Sequence, residues 1–223
     1  MSGTEIFRVT PGSEREIIRN VSKALRRGLL AVVPTDTVYG LVADPSFPDA
    51  VQRIYETKLR DKRKPIPLLV ATVHDAENFG ARFGHEEKAL ASKFWPGPLT
   101  LVLDCKSRGR SGRIVETKEG FRIPGHDLML CLIKEMGGVL RATSANISGE
   151  PPALTVNNAV ASLGASVAVA IDVGTVKIGL PSTVARIKRD LGSGNVRVEI
   201  LRQGVIDAHS LEQVVMSVGG RQE

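Results

Sequence analysis

The sequence predicts an α/β fold built on a mixed β-sheet, and three observations carry that expectation. Short apolar runs alternate with amphipathic helical segments along most of the 223 residues. Towards the C-terminus the apolar runs follow one another without an intervening helix, which a strictly parallel sheet does not allow. The composition, 42% hydrophobic and 24% charged with a mean hydropathy near zero, is that of an ordinary globular chain.

In order, Ser13 and Glu16 read as a capping box opening a helix whose apolar positions are Ile17, Ile18, Val21, Ala24 and Leu25, with Gly28 closing it. Leu29 to Val33 reads as a buried strand stopped by Pro34. Asp49 is placed to cap a helix through Ile54 and Tyr55, and Leu68 to Ala71 is a second strand. His85 to Trp95 is helical, Trp-Pro-Gly-Pro breaks it, and Leu99 to Leu103 is a strand. A short strand at Gly120 to Ile123, a helix from Asp127 to Met136 and a strand from Val139 to Thr143 follow. Thr155 caps a helix ending near Gly164. Val167 to Val173, Ser182 to Lys188 and Val196 to Arg202 are strands, and Ser210 with Gln213 opens a last short helix over 210–218. No linker or repeat interrupts the pattern, so one domain over 1–223 is expected.

Several classes are excluded. No apolar run approaches the ~18 residues of a membrane span, and the start, MSGTEIFRVT, has no apolar signal core. Two cysteines, Cys105 and Cys131, make neither a disulfide scaffold nor a zinc cluster, so a cytoplasmic protein is expected. Thirty Lys and Arg against 24 Asp and Glu give a net charge of +6, which suggests anionic partners. Two runs concentrate it, 58–64 and 106–113. Only 4% of residues are aromatic and none interleaves with these runs, which argues against stacking recognition of single-stranded RNA.

The standard nucleotide, zinc-protease and serine-hydrolase signatures are absent. His74, His85, His126 and His209 are scattered and read as surface or packing residues. Instead, small hydroxyl, amide and basic groups load the segments beside the strands: Pro34 to Leu41, Lys58 to Lys64, Arg122 to His126, Thr143 to Gly149, Gly179 to Val184 and Ile200 to Gly204. Taken singly, the Thr/Asp and Ser/Asn segments read as turns that bond their own backbone. Cations crowded at 58–64 repel one another unless a polyanion sits among them, and an Arg beside a short apolar strand calls for an anion such as a carboxylate.

In order, PTDTVYGL, KxR with a following KP, RIPxH, SANxSG, PSTV and LRxG resemble the YrdC/TsaC family of threonylcarbamoyl-AMP synthases, over about 29–204. The resemblance implies a YrdC-like twisted mixed β-sheet with flanking helices around a basic cleft. It also implies conversion of L-threonine, bicarbonate and ATP to threonylcarbamoyl-AMP and pyrophosphate for the t6A modification of tRNA. Carried over by position, Lys58, Arg60 and Lys64 hold ATP phosphates, while Ser144, Asn146 and Arg202 line the nucleotide side. Thr35, Arg122 and Ser182 form the threonine site. Mg²⁺ is expected with ATP, tRNA or double-stranded RNA as a further partner, and t6A transferase proteins downstream. Gln203 departs from the usual proline of the last block, and the chain ends at Glu223 as the short form does. In-line attack on an α-phosphate needs positioning and charge neutralisation, with no protein nucleophile, so no catalytic nucleophile is assigned.

Two other classes compete. A non-catalytic module binding tRNA or double-stranded RNA needs the basic runs but not Thr35, Arg122 or Ser182. A phosphate synthase of the related RibB fold needs clustered acids for two metals, and Asp36 alone is too few. The run Lys106 to Arg113 is expected to be a flap over the nucleotide or an RNA-facing surface.

Overall fold

Why the strands pair as they do follows from where the apolar side chains fall, two to a turn of the pleat. The computed structural model describes residues 3–108, 114–190 and 195–219. In chain order its elements are β1 (Glu5–Arg8), α1 (Glu14–Leu25), β2 (Leu30–Val33), β3 (Gly40–Ala43), α2 (Pro48–Thr57), β4 (Leu68–Val70), α3 (Val73–Phe79), β5 (Ala81–Arg82) and α4 (His85–Phe94). There follow β6 (Leu99–Arg108), β7 (Ile114–Arg122), α5 (Asp127–Glu135), β8 (Val139–Ser144), α6 (Val156–Leu163), β9 (Val167–Asp172), β10 (Thr183–Arg189), β11 (Val196–Arg202) and α7 (Ala208–Gly219).

One mixed sheet runs β1-β9-β2-β3-β8-β4-β7-β6-β10-β11, with β5 beside β6. Parallel pairs (β1 with β9, β2 with β9, β4 with β7, β6 with β10) interleave with antiparallel ones, as the sequence predicts. Alternation sorts the side chains. Ala31 and Val33 of β2 join Leu140, Ala142 and Ile171 beneath α1 and α5. Leu30 and Val32 face the other way with Leu41 and Ala170, towards α2 and α6. A third cluster, Leu90, Trp95, Leu101, Phe121, Ala185 and Leu211, binds α4 and α7 to the other half of the sheet.

The structure corrects the predicted elements where local polarity conceals long-range pairing. β7 begins at Ile114 rather than Gly120, because its outer residues are exposed and pair with β6 from Arg108↔Ile114 to Leu101↔Phe121. With no buried face at Glu116 to Glu119, it carries no apolar period to read. β1, β3, α3 and β5 are likewise additions. Three caps differ as well. The Ser13 hydroxyl turns back to the Thr10 carbonyl (2.8 Å), so the capping box does not form. Asp49 lies inside the first turn of α2, behind Pro48. Asp207, not Ser210, caps α7, accepting from Ser210 N (2.8 Å). Thr155 caps α6 as expected, accepting from Asn158 N.

Thr183 opens β10, is fully buried, and clamps the return from β11. Its Oγ1 donates to Ile206 O (2.7 Å) and accepts from Gly204 N (3.1 Å) and Ile206 N (2.9 Å). Thr183→Val would strand these groups away from water, at about 1–3 kcal/mol for a buried unsatisfied group. Urea unfolding should show at least that loss for Thr183→Val and a clearly smaller one for Thr183→Ser.

Candidate functional site

Strand directions divide the six segments into two groups. β2 and β8 run the same way, each antiparallel to β3. β7 and β11 run the opposite way, as the chain of pairings through β4, β6 and β10 requires. The C-terminal ends of β2 and β8, carrying Thr35 and Ser144, thus lie at one end of the sheet. Arg122 and Arg202, with Ser182 before β10, belong to the other.

In the first group Lys58, at the end of α2, is 1% exposed. Its Nζ donates to Ser144 O (2.5 Å) and to Asn146 O, so the lysine ties α2 to the turn after β8. Burial, reinforced by the Arg60 charge, lowers its pKa to about 8. Asn146 is buried, its Nδ2 donating to Ile147 O and Glu150 O while Oδ1 is enclosed without a partner. Arg60 donates to the carbonyls of Lys64 and Pro65 (3.0 Å each), which shapes the loop. Lys64 is exposed, and Arg63 is held by Asp61 (2.7 Å). Thr35 is buried, but its hydroxyl serves its own turn: it donates to Val38 O (2.6 Å) and accepts from Thr37 N and Val38 N.

The second group centres on Arg122. Its Nε donates to Gly97 O (2.9 Å), NH1 to Thr37 Oγ1 (3.0 Å) and NH2 to Asp36 Oδ1 (2.5 Å). The guanidinium and carboxylate are both buried, at 7% and 11% side-chain exposure. Among the described residues, two of the five guanidinium N–H groups keep no protein acceptor. Ser182 Oγ lies 2.9 Å from Thr100 Oγ1 and receives Arg202 NH2 (3.1 Å), which also donates to Ser182 O (2.7 Å).

The loop 34–39 joins the groups, since Asp36 and Thr37 reach Arg122 while Gly40 pairs with Ser144. Electrostatics confirm the convergence. The Arg202 pKa is lowered by burial and by the charges of Arg122 and Arg60. Lys58, Arg60, Arg122 and Arg202 therefore share one field, and among the described residues Asp36 is the carboxylate hydrogen-bonded to any of them. Carbonyls and a hydroxyl satisfy the other three without neutralising them, which leaves a net attraction for anions. Asp36 and Thr37 were missed as partners of Arg122; the signal was an acid inside an otherwise cationic set.

Among the described residues no group of three or more His, Cys, Asp or Glu is placed to hold a metal ion. The donor set suits a polyanion rather than a resident cation. Two surface grooves, of about 560 Å³ beside Tyr55 and Phe79 and about 610 Å³ between α4 and α7, contain no residue of the six segments. The run 106–113 lies largely outside the described residues; within it Lys106 pairs with Glu116.

An α/β sheet carrying converged cations and a buried arginine with spare donors defines a site whose charge suits a small polyanion. The Sua5/YciO/YrdC family model, described as telomere recombination, matches residues 23–204. A Bacillus subtilis protein named threonylcarbamoyl-AMP synthase is 34% identical over 200 residues, covering 89% of this chain and 56% of that protein. A Methanocaldococcus jannaschii relative is 30% identical over 208 residues, 93% of this chain and 95% of that one. The crystal structure of Pyrococcus abyssi Sua5 complexed with L-threonine superposes with a TM-score of 0.80 at 32% identity, over 96% of this chain and 61% of that one. The chain belongs to the Sua5/YciO/YrdC family, and it spans little more than half the length of the Bacillus relative.

Two outcomes follow from the geometry. Arg122→Ala leaves the Asp36 charge buried and alone, a change worth about 3–5 kcal/mol. Denaturant unfolding should show that loss, and Arg122→Met combined with Asp36→Asn should recover part of it. Lys58 carries a pH signature. Its folded pKa, about 8, lies below the unfolded 10.5, so between these values the unfolded chain binds the extra proton. Stability should rise with pH across that window by roughly 3 kcal/mol, the equivalent of the pKa gap. Lys58→Met should flatten the rise.

Proposed function

We propose that the chain is an L-threonylcarbamoyladenylate synthase, a nucleotidyltransferase that joins L-threonine, bicarbonate and ATP and releases pyrophosphate. The observation that carries this reading is the shared field of Lys58, Arg60, Arg122 and Arg202, with a single paired acid among them. The relatives' names and the threonine complex of the Pyrococcus protein support it.

On this reading Lys58, Arg60 and Lys64 face the triphosphate, with Lys64 the exposed member. Ser144, Asn146 and Arg202 line the nucleotide. The two spare N–H groups of Arg122 meet the threonine carboxylate, and Thr35 and Ser182 set the walls beside it. Mg²⁺ bound to ATP would be held by phosphate oxygens and water rather than by a cluster of carboxylates, and would supply neutralising charge. The cations then stabilise charge as pyrophosphate departs, and positioning supplies much of the rate. The product feeds t6A formation through transferase proteins acting on tRNA, in the cytoplasm. Among the described residues no helix is long and apolar enough to cross a membrane.

The test is pyrophosphate release with each substrate omitted in turn, the adenylate being identified by mass. Release should need threonine and bicarbonate together. Release at full rate without threonine, or ADP in place of pyrophosphate, overturns the reading and returns phosphate hydrolysis or RNA binding. A second signature comes from Lys58. A bound triphosphate raises its pKa, so ATP binding near pH 8.5 should take up a proton. Calorimetry in buffers of differing ionisation enthalpy should detect that uptake in the wild type and find it reduced in Lys58→Met.

A further inference from the structure

His126 adjoins the Arg122–Asp36 pair and has no part in the assignments above. It precedes α5 with an extended backbone, its carbonyl accepting from Leu130 N (3.0 Å). Its Nδ1 is enclosed by protein without a hydrogen-bond partner, and so is Asp36 Oδ2, the carboxylate oxygen that Arg122 does not use. The segment leading to His126 lies against that carboxylate: a Cβ at Gly125 would stand 3.5 Å from Asp36 Oδ2. Two enclosed orphans on neighbouring side chains are costly unless they satisfy each other. A neutral imidazole with its proton on Nδ1 does so through one enclosed water. That tautomer leaves the lone pair on Nε2. His126 as a whole is only half-buried, and Nδ1 is the ring nitrogen that is enclosed without a partner.

The charged groups around the ring are Asp36 from the 34–39 loop, Asp127 at the start of α5, and Arg122 of β7 behind Asp36. Both acids favour the imidazolium, but burial outweighs them and holds the His126 pKa below the ordinary histidine value. The ring is therefore neutral near pH 7 and able to accept a proton. Arg122 and His126 flank one carboxylate. A ligand whose α-carboxylate meets the spare donors of Arg122 has its ammonium two bonds from that carboxylate, and His126 is the titratable ring beside the same Asp36.

We propose that His126, its Nδ1–H linked to Asp36 Oδ2 through one water, is the base that takes a proton from the α-ammonium of the amino-acid substrate. The inference rests on the synthase reading. One N–H bond of the ammonium breaks, its electron pair stays on nitrogen, and the proton forms a bond to Nε2. Asp36 balances the imidazolium. Bicarbonate breaks a C–O bond to give carbon dioxide and hydroxide, the freed lone pair forms the N–C bond to that carbon dioxide, and the hydroxide takes the second nitrogen proton and leaves as water. Asp36 acts through His126 and is a positioning residue.

The experiment compares the wild type with His126→Asn, whose amide keeps a donor for Asp36, and with His126→Gln should the first variant fold poorly. Threonine and ATP affinities are read by calorimetry and pyrophosphate release from pH 6 to 9.5. The variants should bind both substrates within about threefold and release pyrophosphate ~10²-fold or more slowly at neutral pH. Their rates should recover as rising pH frees the amine without help. Asp36→Asn should move the acid limb of the wild-type profile to lower pH, because it removes a charge that favours imidazolium. A His126→Asn protein at wild-type rate overturns the base, as does a rate loss matched by lost threonine affinity with no recovery at high pH. A wild type that releases no pyrophosphate with all substrates present overturns the synthase reading, and the base with it.

Discussion

The buried pair of Arg122 and Asp36 holds the functional residues in one place. β7 and β11 run opposite to β2 and β8, so the two groups come from strands of opposite direction and meet through contacts outside the backbone ladder. The loop 34–39 makes that connection, and Arg122 fastens it with donors to Asp36 and Thr37 while gripping Gly97 O on its own side. A guanidinium can do this because its planar fork bonds three acceptors in fixed directions; an ammonium would satisfy the charge but not the geometry. Burying the pair is not a free gain, since desolvation opposes the Coulomb attraction. What it secures is the relative position of two half-sites from distant stretches of the chain.

The remaining cations follow a different rule. Lys58, Arg60 and Arg202 each bond backbone carbonyls or a serine hydroxyl, partners that fix a side chain without cancelling its charge. Mutual repulsion is thereby retained, and it adds to burial, the larger cause, in lowering the pKa values of Lys58 and Arg202. An anionic ligand relieves that repulsion on arrival, so part of its affinity is already present as strain in the free protein.

Much of this was legible beforehand. The alternation of apolar runs and helices fixes the class of fold, and the order of the six segments marks the residues that the structure gathers. The pairing of Asp36 with Arg122 was not legible, because it spans 86 positions and depends on β7 running opposite to β8. Nor was the use of the Thr35 hydroxyl inside its own turn, which spacing cannot distinguish from a ligand contact. The outer half of β7 was invisible for a simpler reason. Residues such as Glu116 and Lys118 face solvent and pair across the ladder, with Lys106 and Asp104, so no apolar stripe announces them.

That hairpin also sets limits on how the chain can vary. Its outer rungs, from Lys106↔Glu116 to Asp104↔Lys118, are held by cross-strand ion pairs and shared backbone bonds, while the innermost rung carries Phe121, with Arg122 next along β7 and paired with Leu69 of β4. Matched insertions or deletions in β6 and β7 would lengthen or shorten the arm and leave the inner register intact. An unmatched single-residue change within β7 would turn every later side chain to the other face. Arg122 would then point away from Asp36, and the two half-sites would separate. Natural length variants of this arm should therefore differ by paired steps.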